Sequence, residues 1–276
     1  MKININGLTN LATQNERDAF ERACKTWESA ILNQVTITVE VISHALGKGL
    51  SAVCIPNLVQ SGKETYTTAQ AKAIDRARGT KILNQGDDAL GDMVIVIDPA
   101  GPYDFSTASP GTVTPNGEIH FETQALHEMC HGLGFLCLCN VVGNKGVFTD
   151  TTSINELSAA VGNVSIPLLD KIQGRRLTNG YKTLFAKLLS SSTHDIADPL
   201  ECANLFSYGS LSINAQQKYN VVTDWANGGF TPFTSCDHLD YASGHCLMYG
   251  STGSYIMTTP DDKTKDVLRA IGWSVN

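Results

Sequence analysis

The run His127-Glu128-Met129-Cys130-His131 constrains the fold of this chain more than any other stretch. Histidines four residues apart on a helix lie one above the other, roughly 6 Å apart, so both imidazoles can reach one ion at about 2.0–2.1 Å. Glu128 is rotated by about 100° from His127 and can approach a water on that ion without ligating it. The helix is expected to start near Thr123 as its N-cap, with Ala125, Leu126, Met129, Cys130 and Leu133 as a core-facing stripe. Gly132 and Gly134 end it, and a glycine one turn after the second histidine lets the backbone reverse so that another segment can approach the ion. The fold must therefore bury one side of this helix and turn the other to a cleft. Two histidines on an ordinary polar helix face remain the competing explanation of the pentapeptide alone.

The composition permits such a body. The 276 residues are 42% hydrophobic and 17% charged, enough for a sizeable core in one domain or one domain of two lobes. The 20 basic and 27 acidic residues give a formal charge of -7, with no Lys/Arg stripe interleaved with aromatics, so no nucleic-acid partner is expected. No apolar run approaches the roughly 20 residues of a transmembrane segment. Met1 to Asn6 also lacks the apolar stretch of a signal peptide, so export would require a leader already removed. Eight cysteines (Cys24, Cys54, Cys130, Cys137, Cys139, Cys202, Cys236 and Cys246) suit at least two disulfides and an oxidising compartment. Cys24 and Cys130, at helical positions, also read as ordinary buried thiols.

The pattern of elements is α+β. Residues 14–32 place Ala19, Phe20, Ala23, Trp27, Ala30 and Ile31 at helical spacing, and Val35 to Val41 alternates as a half-buried strand. A second helix is expected over Thr67 to Leu83, an apolar strand over Asp92 to Ile97, a surface loop over Pro99 to Asn116 and a short strand over Glu118 to Phe121. A Gly-rich connector over Val141 to Val147 follows, then a helical segment over Leu168 to Ser190 and a loop-rich region from about Ser191 to Gly253. Asp261-Asp262 caps a closing helix that contains Val267, Leu268 and Ile271. No regular strand–helix repeat argues for a doubly wound sheet. The whole chain, 1–276, is thus expected as one domain, with an N-terminal lobe over 1–135 and a C-terminal lobe over 136–276.

His127 to Phe135, H-E-M-C-H-G-L-G-F, resembles the zinc-binding segment of the metzincin metallopeptidases, H-E-x-x-H-x-x-G-x-x-H followed by a Met-containing turn. The chain departs from that pattern where the third histidine is due, at Cys137. The leishmanolysin-like branch keeps H-E-x-x-H-x-x-G-F and takes its third histidine from far downstream. Asp237-His238-Leu239-Asp240 and Cys246-Leu247-Met248-Tyr249 are similar to that branch's third-ligand segment and Met-turn. The resemblance implies a metzincin-like zincin fold with an N-terminal mixed sheet, zinc held by His127, His131 and His238, and Met248 as the residue of the Met-turn. It also implies a secreted or extracellular endopeptidase in which Glu128 is the general base for attack on a peptide substrate. Cys137, as a thiolate, and Glu156 remain alternatives for the third ligand. His44, His120, His194 and His245 read as solvated or structural, and Tyr249 as a packing residue that could also reach a developing oxyanion. The other functional class open to the chain is a catalytically inactive zinc-binding adhesion or interaction module.

Overall fold

Thr13 and Glu16 cap the first helix reciprocally. The Thr13 hydroxyl accepts the Glu16 N–H at 3.2 Å and the Glu16 carboxylate accepts the Thr13 N–H at 2.7 Å. The computed structural model describes residues 1–46, 49–87, 89, 91–107, 109–142, 145–148, 177, 180–191, 211–221, 236–240, 245–250 and 255–276. Strands β1 (Lys2–Asn6), β2 (Thr36–Ser43), β3 (Ala52–Pro56), β4 (Leu58–Ser61), β5 (Glu64–Thr67) and β6 (Met93–Ile97) occupy the first hundred residues together with α1 (Gln14–Ala30) and α2 (Thr68–Arg78). Four of the strands form a mixed sheet in the order β1-β2-β6-β3, in which β1, β2 and β6 are parallel and β3 runs antiparallel along β6.

The run Met-Val-Ile-Val-Ile of β6 is buried throughout, as a strand covered on both faces must be. Ala19, Phe20, Ala23 and Trp27 of α1 meet the residues of the sheet and of the later helices in one core that extends from Leu11 to Val275. Helix α2 stops five residues before the expected end at Leu83. Gly79 adopts a left-handed conformation (φ 65°), and the Asp75 carboxylate captures the N–H groups of Ile82 (2.8 Å) and Leu83 (3.0 Å) and the Thr80 hydroxyl (2.6 Å).

Two-residue strands β7 (Tyr103–Asp104) and β8 (Ile119–His120) pair in parallel and lead into α3 (Phe121–Gly132), all twelve residues of which are buried. Beyond it, β9 (Cys139–Val142) and β10 (Lys145–Phe148) make a hairpin over the stretch expected as a connector. The segment expected as a helix over Leu168 to Ser190 falls partly outside the described residues. Its described end is instead β11 (Lys182–Thr183), a single 3₁₀ turn at Ala186–Leu188 and β12 (Leu189–Ser191). Backbone pairing decides this: β11 extends β5 in parallel, β12 pairs with β13 (Leu211–Asn214), and β13 pairs with β14 (Lys218–Asn220). The closing helix α4 (Asp262–Ala270) is capped by Asp261, as the sequence indicates. Among the described residues no helix is long and apolar enough to cross a membrane. The architecture is mixed α+β.

Candidate metal centre

Helix α3 begins three residues earlier than the sequence suggests. His120 is its N-cap: the ring Nδ1 accepts the Thr123 N–H at 3.3 Å, while Nε2 donates to the Ser106 carbonyl at 2.9 Å. Thr123, the expected cap, is engaged elsewhere, its hydroxyl bonded to the backbone of Met257 on both the carbonyl (2.9 Å) and N–H (2.8 Å) sides. At the other end Gly132 lies against Met93 of β6, whose side chain occupies the space a Cβ would need. Gly134, at φ 106°, then turns the chain, and Phe135 packs its ring 4.5 Å from that of Phe185.

His127 and His131 are aimed by backbone carbonyls. His127 Nδ1 lies 2.7 Å from the Leu247 carbonyl and His131 Nδ1 lies 2.7 Å from the Phe135 carbonyl. A carbonyl only accepts, so both Nδ1 atoms carry the proton and both Nε2 atoms present a lone pair. Those two Nε2 atoms are 3.2 Å apart, and His238 Nε2 is 3.1 Å from that of His127. The three rings stand with centroids 4.8, 5.1 and 5.0 Å apart. Whichever tautomer His238 adopts, no proton lies between His127 and His131, and two lone pairs facing at that distance repel unless a cation sits between them. Tetrahedral bonds of about 2.0–2.1 Å to zinc would separate ligand nitrogens by about 3.3–3.4 Å, close to what is found. The three histidines could hold a metal ion, and among the described residues theirs are the ligand atoms that come together in such a group.

The surroundings favour the neutral form of these imidazoles. His127, His131 and His238 are 4%, 8% and 7% exposed. Burial, reinforced by the neighbouring His238, pushes His127 down to about 3 against the opposing hydrogen bond to Leu247. Burial and the other two imidazoles hold His131 well below its ordinary value. Glu128, also buried, is pushed up to about 7 by burial, with hydrogen bonds from the Gln124 side chain (2.6 Å) and the Cys54 N–H acting the other way.

The structure brings His238 from far downstream to His127 of the helix. The Asp237 carboxylate accepts the Cys137 N–H and that of Leu138, which ties the segment to the chain leaving α3. Leu239 donates to the Met248 carbonyl at 2.7 Å and forms a parallel bridge with Tyr249. Met248 is fully buried, and the Leu247 N–H is held at 2.7 Å by Asp261, the cap of α4. Asp261 thus fixes the residue whose carbonyl orients His127. The sequence marked Asp261 as a cap and Asp237 only as the neighbour of a histidine. Their roles in supporting the site need contacts across the fold that no local pattern encodes.

Among the described residues, no other histidine or cysteine joins this group. Cys137 is not among the clustered ligand atoms, and its thiol contacts Cys139 and Cys236. Glu156 and His194 lie outside the described residues. His245 stacks its ring on Tyr255 at 4.2 Å, and Tyr249 is buried. The seven described cysteines are buried thiols, and Cys202 lies outside the described residues. No family model, no curated protein and no solved structure matches the chain significantly.

Proposed function

We propose that this chain is a zinc-dependent endopeptidase with a metzincin-like fold, closest in design to the leishmanolysin-like branch. In this reading His127, His131 and His238 hold zinc and Glu128 is the general base. One observation carries it: three imidazole nitrogens come together at 3.1 and 3.2 Å, two of them on the helix that also carries the buried carboxyl of Glu128. Three neutral nitrogen ligands leave a tetrahedral ion one position for water, the arrangement of catalytic sites. Zinc bound there would polarise a substrate carbonyl and acidify a water.

Glu128 would accept the proton from the attacking water and return it to the departing amine. Burial raises its carboxyl to about 7, and a neighbouring cation would draw it downward, toward the ionised form a general base requires. Gln124, bonded to one carboxylate oxygen at 2.6 Å, fixes its orientation. The substrate would be a protein or peptide. Eight cysteines would suit an oxidising, extracellular setting.

The low exposure of all three histidines favours a second reading, in which the ion clamps the fold of an interaction module and never meets a substrate. Zinc content per chain and cleavage of an unfolded protein substrate separate the two. Wild type should bind one zinc and cleave. Glu128→Ala should keep the zinc and lose activity by at least about 100-fold, and His238→Ala should lose both. A wild type that holds zinc and never cleaves supports the interaction module, and zinc binding that survives His238→Ala overturns the ligand set.

A further inference from the structure

The Cys137 thiol lies between those of Cys139 and Cys236, and Cys236 stands two residues before His238 in the chain. Cys137 and Cys236 are fully buried and Cys139 nearly so, and the Cys137 thiol is in hydrogen-bond contact with both of the others. The backbones around them are already fastened together, because Asp237 accepts the N–H groups of Cys137 and Leu138. Cys236 takes a left-handed conformation at φ 70° and Leu138 another at φ 54°, so both chains turn sharply at this contact. Among the described residues these thiols do not form a second metal group, since the ligand atoms that come together to hold an ion are those of the histidines.

We propose that Cys137 and Cys236 are joined in the mature protein by a disulfide that staples the exit of α3 to the segment bearing His238. The two thiols are already neighbours, so a bond of about 2.05 Å asks only that these two side chains close on each other. Cys139 is the less suitable partner. It lies two residues from Cys137 on the same strand exit, where a bond would close a small, strained ring and cross-link nothing distant.

The electron balance is that of thiol–disulfide exchange with a disulfide donor of an oxidising folding compartment, such as oxidised glutathione. The thiolate of one cysteine attacks the donor, releasing one thiol. The second cysteine then displaces the other, so one S–S bond forms, one breaks, and the two protons leave on the two donor thiols. Because both cysteines are shielded from solvent once folding is complete, the bond forms before the site closes. It then ties the exit of α3 to residue 236 and holds His238 against the helix. The proposal concerns the cross-link and stands whether the histidine site cleaves or only binds.

The test is to refold the full chain in a glutathione redox buffer, alkylate remaining thiols, digest without reduction and sequence the linked peptides by mass spectrometry. A peptide pair joining Cys137 to Cys236 and disappearing on reduction is the expected result. Alkylated Cys137, or Cys137 linked to Cys139 or any other residue, overturns the proposal. Cys139→Ser should retain the linked pair, which keeps the test open if Cys236→Ser fails to fold. Zinc competition with a chelator should show the oxidised protein holding the ion about tenfold more tightly than the reduced protein. Equal affinity in the two states would sink the claim that the bond positions the third ligand.

Discussion

The Asp237 carboxylate accepts the backbone N–H of Cys137, so the residue just before His238 is anchored to the segment that leaves α3. His238 is thereby set against α3 by a polar contact across a hundred positions of sequence. Burial pushes the Asp237 carboxyl up to about 7, against the two N–H bonds it receives from Cys137 and Leu138.

Asp237→Ala leaves those two buried N–H groups without an acceptor. It should cost about 2–4 kcal/mol of stability and weaken zinc binding by about 10- to 100-fold. Asp237→Asn keeps one acceptor oxygen and should fall between the two. Denaturant midpoints and chelator competition measure both effects. Unchanged zinc affinity in Asp237→Ala would show that the segment holds its position without this contact.

Gly132 has no room for a side chain because Met93 fills the space. Gly132→Ala should therefore destabilise the fold by about 1–3 kcal/mol. Met93→Ala creates room, so the double variant should be more stable than the sum of the two single losses, with a coupling of about 1 kcal/mol. Additive losses in urea unfolding would place the strain elsewhere.

Asp75 carries the pH dependence of the α2 terminus. Burial alone would raise its carboxyl, but hydrogen bonds from Thr80, Ile82 and Leu83 outweigh it and hold the group below its ordinary value. A depressed carboxylate stabilises the fold above its unfolded pKa of about 3.9, and that contribution is lost as pH falls through the lower folded value. Asp75→Asn should cost about 1–2 kcal/mol at neutral pH, and its deficit relative to wild type should shrink below about pH 4. Thermal unfolding followed from pH 7 to pH 2 would reveal a constant deficit if Asp75 did not titrate this way.

The parts of the fold that were legible are those set by neighbouring residues. The spacing of His127 and His131, the alternation in β2, the apolar run of β6 and the cap at Asp261 are local statements that the structure repeats. The start of α3 was misplaced because Thr123 is as good a cap as any by type. Only the arrival of Met257 from the far end of the chain diverts its hydroxyl and leaves His120 to do the work. Strands β3, β4 and β5 went unseen because each is four or five residues long and buried by tertiary contact, too short for a periodic signal. Residues 184–189, Leu-Phe-Ala-Lys-Leu-Leu, have a helical look that pairing with β5 and β13 on either side overrides. His238 could be singled out only through a family resemblance, since nothing in its own neighbourhood sets it apart from the other histidines.

The groups that aim His127 and His131 are the peptide carbonyls of Leu247 and Phe135. Every amino acid supplies such an oxygen, so residues 247 and 135 can be exchanged for others of similar bulk while the imidazoles keep their bearing. The aiming apparatus is written in the path of the main chain, where letter-by-letter comparison is blind. A lineage could therefore rewrite most of its text around this centre and still deliver three nitrogens to one point.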